Sequence, residues 1–180
     1  MTMDAFDESF AVVVGHEGGF SDDRDDPGNW TGGAVGVGEL HGTKFGISAG
    51  AYPTLDIPNL SIEDAGEIYR RDYWDRVQCG SLPSPLALLV FDAAVNNGVS
   101  RAVAWLQQAT GAEPDGVPGP RTMATVELAI ASQGVAAVCA EYLARRLVFM
   151  ASLVSWREFG LGWARRLCAL PYQSMTMMGK

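Results

Sequence analysis

The chain has 180 residues, of which 48% are hydrophobic, and a formal net charge of −8. That is apolar material for one compact domain or two small lobes sharing a core, and too much for a disordered chain. The acidic balance argues against a general nucleic-acid binder, and no uncharged apolar run approaches the ~20 residues of a membrane span.

The charge is uneven: residues 1–120 carry 6 Lys/Arg and 18 Asp/Glu, residues 121–180 carry 7 and 3. A basic C-terminal third reads either as a solvated helix surface or as a face drawn to an anionic surface such as a cell envelope. Cys79, Cys139 and Cys168 form no C-x-x-C pair and read as reduced core residues. The N-terminus, MTMDAFDESF, lacks the basic and apolar regions of a secretory signal, so folding in a cytoplasm is expected.

A helix is expected over 4–16. Asp4 can cap it, and Phe6, Phe10, Val13 and Val14 share one face. Gly18 and Gly19 are the expected stop. From Ser21 to about Ala51 the chain reads as loop and short strand, with eight glycines between Gly28 and Gly50. AVGVGEL and TKFGIS are its β-prone pieces, and a hairpin or three-stranded sheet fits best. Ser61 with Asp64 opens a helix in the manner of a capping box. SPLALLVFDAAVNNG, apolar almost all round, reads as a central buried helix with Ser84 as cap, Pro85 in the first turn and Gly98 as stop. Further helices are expected over 100–110, from Pro120, over about 135–156 and, briefly, near 162–167. The tail SMTMMGK reads as a frayed terminus.

The stretch HEGGF places Glu17 at a helix end, and Asp26 follows nine residues later in DDRDDPG. Carbonyls and the negative end of the helix dipole disfavour a carboxylate anion there, and a partly desolvated cleft would hold it protonated. A general acid near neutral pH needs that state. The glycines leave room for a bulky substrate. Asp-Pro-Gly would fix Asp26 at a bend. A helix-end acid and a loop aspartate across a cleft are the parts that split a glycosidic bond. Both also read as solvated loop charges, and sequence spacing does not choose. Glu39 is a rival acid, expected on an exposed strand or turn.

Other chemistries find less support. DDRDDPG read as a calcium loop puts proline at the fifth ligand position and Ala34 at the twelfth. His16 and His41 have no cysteine nearby, so a zinc site is not expected, nor is any cofactor.

The segments HEGGF, DDPGNWTGG and GTKFGIS closely resemble the N-terminal signature of glycoside hydrolase family 108, E-G-G-[YF], D-P-G-G, T-x-x-G-I-[TS]. The resemblance continues through EDAGEIYRRDYWD, FDAAVNNGVSRAVAWLQQATG, DGVPGPRT and the closing Gly-Trp-x-x-Arg of FGLGWARR. It departs at Asn29, where the family has glycine, and at an insertion, residues 29–42, before Thr43. The resemblance implies a phage or prophage N-acetylmuramidase. Its fold would be α+β, mostly α and lysozyme-like, with a small β region near the N-terminus. A catalytic lobe (1–95) would pack with a helical peptidoglycan-binding lobe (96–180).

By the same resemblance Glu17 is the general acid, and Asp26 and Thr43 position the attacking water. Thr31 stands where an insertion-free alignment would put the threonine. A lytic transglycosylase on the same bond and a non-catalytic wall-binding protein are the rivals. For substrate binding the candidates are Phe20, Trp30, Tyr73, Asn96 and Asn97. Tyr73 and Trp74 also suit a core, and Asn96 and Asn97 also suit a helix C-cap. Expected are bacterial peptidoglycan as partner, a monomer, no metal, no nucleic acid and no stable membrane insertion. The implied setting is accumulation in the host cytoplasm and action in the periplasm after a membrane lesion.

Overall fold

Asp4 caps the first helix: its Oδ1 accepts from the amides of Phe6 (2.6 Å) and Asp7 (3.2 Å). The helix, α1, runs Ala5–Val14 and ends earlier than expected. Gly15, at φ +69°, supplies the left-handed stop, ahead of Gly19. The structure, a computed structural model, describes residues 4–15 and 19–178. Glu17, the expected acid, and His16 and Gly18 around it lie outside the described residues.

The chain divides into two compact units, Phe10–Arg70 and Met1–Ser9 with Arg71–Lys180. The smaller unit is loop-rich. Its hairpin pairs β1 (Thr43–Lys44) with β2 (Ile47–Ser48), Thr43 opposite Ser48 and Lys44 opposite Ile47. Phe45 (φ +52°) and Gly46 (φ +76°) both have positive φ, the mark of a type I′ turn. TKFGIS is therefore two strands and a turn. AVGVGEL forms turns rather than a strand, because Gly36 and Gly38 both take positive φ. After the hairpin, α2 (Ile62–Tyr69) opens on the expected capping box, with Ser61 Oγ accepting from Asp64 N at 3.0 Å. The Asp64 carboxylate answers to Ser61, and those bonds hold its pKa below the usual value. Tyr69 packs edge-on to Phe10 at 5.4 Å and donates its hydroxyl to Phe45 O at 3.0 Å, which braces the positive-φ turn.

The larger unit is helical. A π turn, Arg70–Trp74, and two 3₁₀ turns lead into α3, Ser84–Asn97. Pro83 rather than Ser84 holds its N-cap position, and no side chain caps it. From Pro85 to Ala94 every residue of α3 is buried, as an all-round apolar helix requires. Around it lie α4 (Val99–Thr110), α6 (Val135–Ala151) and α7 (Trp156–Met178), with α5 (Pro120–Gln133) against α4 and α6. Phe6, Trp74 and Phe91 form an aromatic knot with centroids 5.5–5.8 Å apart. Each such ring contributes roughly 1.5–3 kcal/mol by burial. Trp74 is thus core, the plainer of its two readings.

Two expectations near the C-terminus fail. The helix from 135 stops at Ala151, where Ser152 Oγ bonds Phe149 O at 2.6 Å and competes with the helical ladder. The short helix near 162–167 is part of α7, which continues through Pro171 to Met178, so SMTMM is helical. Gly160 is no break: a Cβ there would lie 2.7 Å from the Trp156 ring, so glycine lets the indole lie on the helix.

The turn-rich connection 111–119 hangs on one buried side chain. Gln107 in α4 donates to Asp115 Oδ1 (2.7 Å), Val117 O (3.1 Å) and Thr122 Oγ1 (3.1 Å), and accepts from Gly116 N (2.8 Å). The fold is thus mostly helical, with a small N-terminal hairpin and a helical C-terminal lobe, consistent with a lysozyme-like architecture. Among the described residues no single helix is long and apolar enough to cross a membrane. α5 and α6 reach that measure only together, across a 118° bend.

Candidate active site

The acidic run DDRDDPG folds into consecutive turns. Asp23 Oδ1 accepts from Asp25 N at 3.0 Å, and Asp26 Oδ1 accepts from Gly28 N at 2.8 Å, opening a 3₁₀ turn at Pro27–Asn29. Asp26 is exposed, and its second oxygen has no hydrogen bond among the described residues. A Cβ at position 28 would come within 3.2 Å of the Asp26 carboxylate and 3.7 Å of Ser48 Cβ. Glycine there keeps the bend of Asp-Pro-Gly tight against β2.

Asn29 joins this bend to the hairpin. It is fully buried. Its Nδ2 donates to Asp23 O at 2.9 Å and its Oδ1 accepts from Thr43 Oγ1 at 2.7 Å. Its carbonyl takes the amides of His41 and Gly42, each at 3.0 Å. Thr43 is further fixed by a two-bond bridge to Ser21, at 2.8 and 2.9 Å. Asp26 and Thr43, 17 positions apart, are therefore held in one hydrogen-bonded assembly with Asn29 as its hub. The sequence marked Asn29 only as a departure from glycine. An amide in a turn, two donors and one acceptor beside a carbonyl-rich bend, was the available signal.

Thr31 belongs to another set. Its Oγ1 accepts from Glu39 N at 2.8 Å, and its amide donates to Glu39 O at 2.9 Å. With Trp30 bridged to Leu40, these bonds close the insertion into an exposed loop of its own. Glu39 is exposed and pairs with His41 Nε2 at 2.9 Å, as a surface position would.

The aromatic candidates divide. Trp30 is half-buried, and its indole N–H is spent on Arg24 O at 3.0 Å. Phe20 is 45% exposed and its ring lies against Gly42, where a Cβ would be 2.5 Å from Phe20 Cε2. Phe20, Trp30, Asp26 and Thr43 all belong to the smaller unit. Tyr73, half-buried in the π turn, and Asn96 and Asn97, at the end of α3, belong to the larger one.

Asn96 and Asn97 are bonded within the larger unit. Asn96 Nδ2 donates to Asp92 O at 2.8 Å, and Asn97 Oδ1 accepts from Arg146 Nε at 2.9 Å. Behind them Asp92, fully buried in α3, receives Arg146 Nη1 at 2.6 Å and Arg166 Nε at 2.8 Å. A charged residue inside FDAAVNN was the signal for this cluster, and the sequence reading passed over it. No group of three or more His, Cys, Asp or Glu among the described residues is arranged to hold a metal ion.

Comparison with known proteins then assigns both halves. Residues 10–98 match the family Glycosyl hydrolase 108, and residues 101–168 match the family Predicted Peptidoglycan domain. The chain carries a glycosyl hydrolase 108 domain followed by a predicted peptidoglycan domain. The structure of SagA from Brucella abortus is similar over 96% of this chain and 94% of that one, at 27% identity and a TM-score of 0.76. No curated protein matches the sequence. The two matches support a glycosidase acting on peptidoglycan. The assembly of Asp26, Asn29 and Thr43 lies within the glycosyl hydrolase 108 domain. The cluster of Asp92, Arg146 and Arg166 is shared between its end and the peptidoglycan domain.

Proposed function

We propose that the chain is a muramidase that hydrolyses the β-1,4 bond between N-acetylmuramic acid and N-acetylglucosamine. Glu17 is the general acid, and Asp26 with Thr43 positions the water that attacks the anomeric carbon. The observation that carries this reading is the Asn29 bridge. It ties the Asp26 bend to Thr43 through two side-chain bonds, to Asp23 O at 2.9 Å and from Thr43 Oγ1 at 2.7 Å. Thr43 Oγ1, with its hydrogen bond donated to Asn29 Oδ1, presents lone pairs to a water, while the exposed Asp26 carboxylate accepts that water's proton. Thr31 is a poorer partner, because its hydroxyl already serves the insertion loop.

In this scheme protonated Glu17 donates to the leaving oxygen as the glycosidic bond breaks, and the water oxygen bonds to the anomeric carbon. Attack from the face opposite the leaving group gives inversion. Phe20 offers an exposed aromatic face for a sugar ring. A phage or prophage endolysin is the setting proposed, with a membrane lesion as the route to the substrate; this rests on the family resemblance.

The test is hydrolysis of purified peptidoglycan by the parent and by Glu17→Gln, with products read by mass spectrometry. The parent is expected to give reducing, hydrated muropeptides, and Glu17→Gln to lose at least about 10²-fold of the rate, the usual contribution of a positioned acid. Circular dichroism confirms folding. 1,6-Anhydro products, or full activity in a folded Glu17→Gln, would refute the mechanism.

A further inference from the structure

Where the connection 111–119 passes from α4 to α5, a cavity of about 160 Å³ opens within the larger unit. It lies inside the span matched by the predicted peptidoglycan domain. Its floor is polar and buried, made by Gln107 and Thr122. Its sides carry charge of both signs: Glu113 and Asp115 from the connection, Arg121 from the first turn of α5. On the ~30 Å³ that each water occupies in the liquid, the space admits a group of about five heavy atoms, and no sugar ring.

The opposite charges share this space without meeting. The Val117 amide and Gln107, and then the Arg121 charge, hold the Asp115 carboxyl below its ordinary value, so it faces the cavity as an anion. Arg121 nonetheless forms no ion pair with Asp115 or Glu113 among the described residues. Gln107 is what keeps them apart. Its Oε1 accepts from Gly116 N at 2.8 Å, which turns its Nε2 to Asp115 Oδ1 at 2.7 Å. Val117 N holds the same carboxylate oxygen at 2.9 Å. Asp115 is thereby drawn to its own loop, and its Oδ2 has no hydrogen bond among the described residues. The loop has little freedom to follow. Gly116, at φ +73°, is pressed on α4, where a Cβ would lie 2.4 Å from Ser100 Oγ.

The other side of the cavity offers donors. Thr122, only 4% exposed, accepts from Gln107 Nε2 at 3.1 Å and donates to no acceptor among the described residues. A buried hydroxyl proton without an acceptor costs free energy that a ligand oxygen would recover. No side chain caps α5, so its dipole adds partial positive charge beside Arg121. A simple anion would meet two carboxylates here, and a simple amine would meet Arg121. A small group with both charges on neighbouring atoms matches both sides at once.

We propose that this cavity binds the free zwitterionic end, ammonium and carboxylate on one carbon, of a diamino-diacid residue in a peptidoglycan stem peptide. Glu113 and Asp115 Oδ2 take the ammonium, and Arg121 and the Thr122 hydroxyl take the carboxylate. The identity of the ligand rests on the wall-hydrolase reading above. The proposal adds which part of the wall polymer the helical unit grips, and it gives the charged residues of EPDGVPGPRT a common use.

The test titrates the full-length parent calorimetrically with three forms of the tripeptide L-alanyl-γ-D-glutamyl-meso-diaminopimelate. One is unmodified, one has its distal carboxylate as carboxamide, and one has its distal amine acetylated. None contains a glycosidic bond, so catalysis does not enter. The unmodified form is expected to bind about tenfold more tightly than either other, the scale of a hydrogen bond to a charged group. Arg121→Gln should remove the preference over the carboxamide and keep that over the acetylated form, and Glu113→Gln should do the converse. Both side chains are exposed, so neither variant disturbs the core. No detectable binding, equal affinity for the three forms, or both variants weakening all forms alike would overturn the proposal. So would free alanine competing as well as the tripeptide, the mark of a site for soluble amino acids. Lysis of peptidoglycan by the parent is measured alongside. Lysis without discrimination among the tripeptides removes this site and leaves the muramidase; discrimination without lysis does the reverse.

Discussion

Replacing Asn29 by alanine isolates the step on which the proposed site depends. The side chain is fully buried and makes two hydrogen bonds, to Asp23 O and from Thr43 Oγ1. Each net bond is worth about 1 kcal/mol, and leaving the half-buried Thr43 hydroxyl without its acceptor adds to that. Asp23 is exposed, so its carbonyl regains a water and little is lost there. The expected destabilisation is therefore about 2–3 kcal/mol, read from urea melts. The catalytic effect follows from freeing the Thr43 hydroxyl to rotate. Thr43→Val should cost about 10²-fold in kcat, the loss typical of a misplaced reactive group, and Asn29→Ala about tenfold or more. Because both act through one bond, the double variant should be no slower than Thr43→Val alone. Thr31→Val, which touches only the insertion loop, should stay within about twofold of the parent. Additive losses in the double variant would refute the bridge. A folded Thr43→Val at full kcat beside an inactive Thr31→Val would transfer the role to Thr31.

Two further outcomes probe the larger unit. Asp92→Ala strands buried Arg146 with an uncompensated charge, and should lower stability by about 3–5 kcal/mol in denaturant melts. A change below 1 kcal/mol, taken as the scale of a surface pair, would show that the cluster is solvated. Asp115 accepts from Val117 N and Gln107 Nε2, and these bonds, in that order, hold its carboxyl below its ordinary value of 3.8. A folded pKa lowered in this way contributes stability above the unfolded value, and that contribution is lost as pH falls through the folded one. Asp115→Asn should therefore be less stable than the parent at neutral pH, with the gap closing below about pH 4; a gap independent of pH would refute the assignment.

The fold was legible wherever local chemistry and burial agreed. Asp4, the Ser61–Asp64 box, Gly98 and Gly111 each satisfy or end a helix by rules that need only neighbours. It was illegible where a glycine had two uses. The short helix expected near 162–167 is instead part of α7, because glycine at 160 lets the Trp156 ring lie over the helix, which runs on. Ser152 was the less visible break, acting through a hydroxyl bonded to Phe149 O that no periodicity reports.

The site divides along the same line. Asp26 could be placed at a bend from Asp-Pro-Gly, because that turn is local. Its link to Thr43 could not, since it crosses an insertion and passes through a residue whose importance is entirely tertiary. The family pattern has glycine at position 29, and glycine can supply neither of the two side-chain bonds that Asn29 makes. Asn29 thus links the Asp26 bend to a threonine that stands beyond the insertion. The insertion places eleven residues between Thr31 and Thr43, and the amide reaches back across that gap to secure the hydroxyl. If that coupling is right, shortening the insertion should relax the demand for asparagine. A variant lacking 32–39, with its ends joined, should then tolerate Asn29→Gly with less loss of kcat than the full-length chain. Equal loss in both backgrounds would separate the two departures and leave Asn29 as a bond for stability alone.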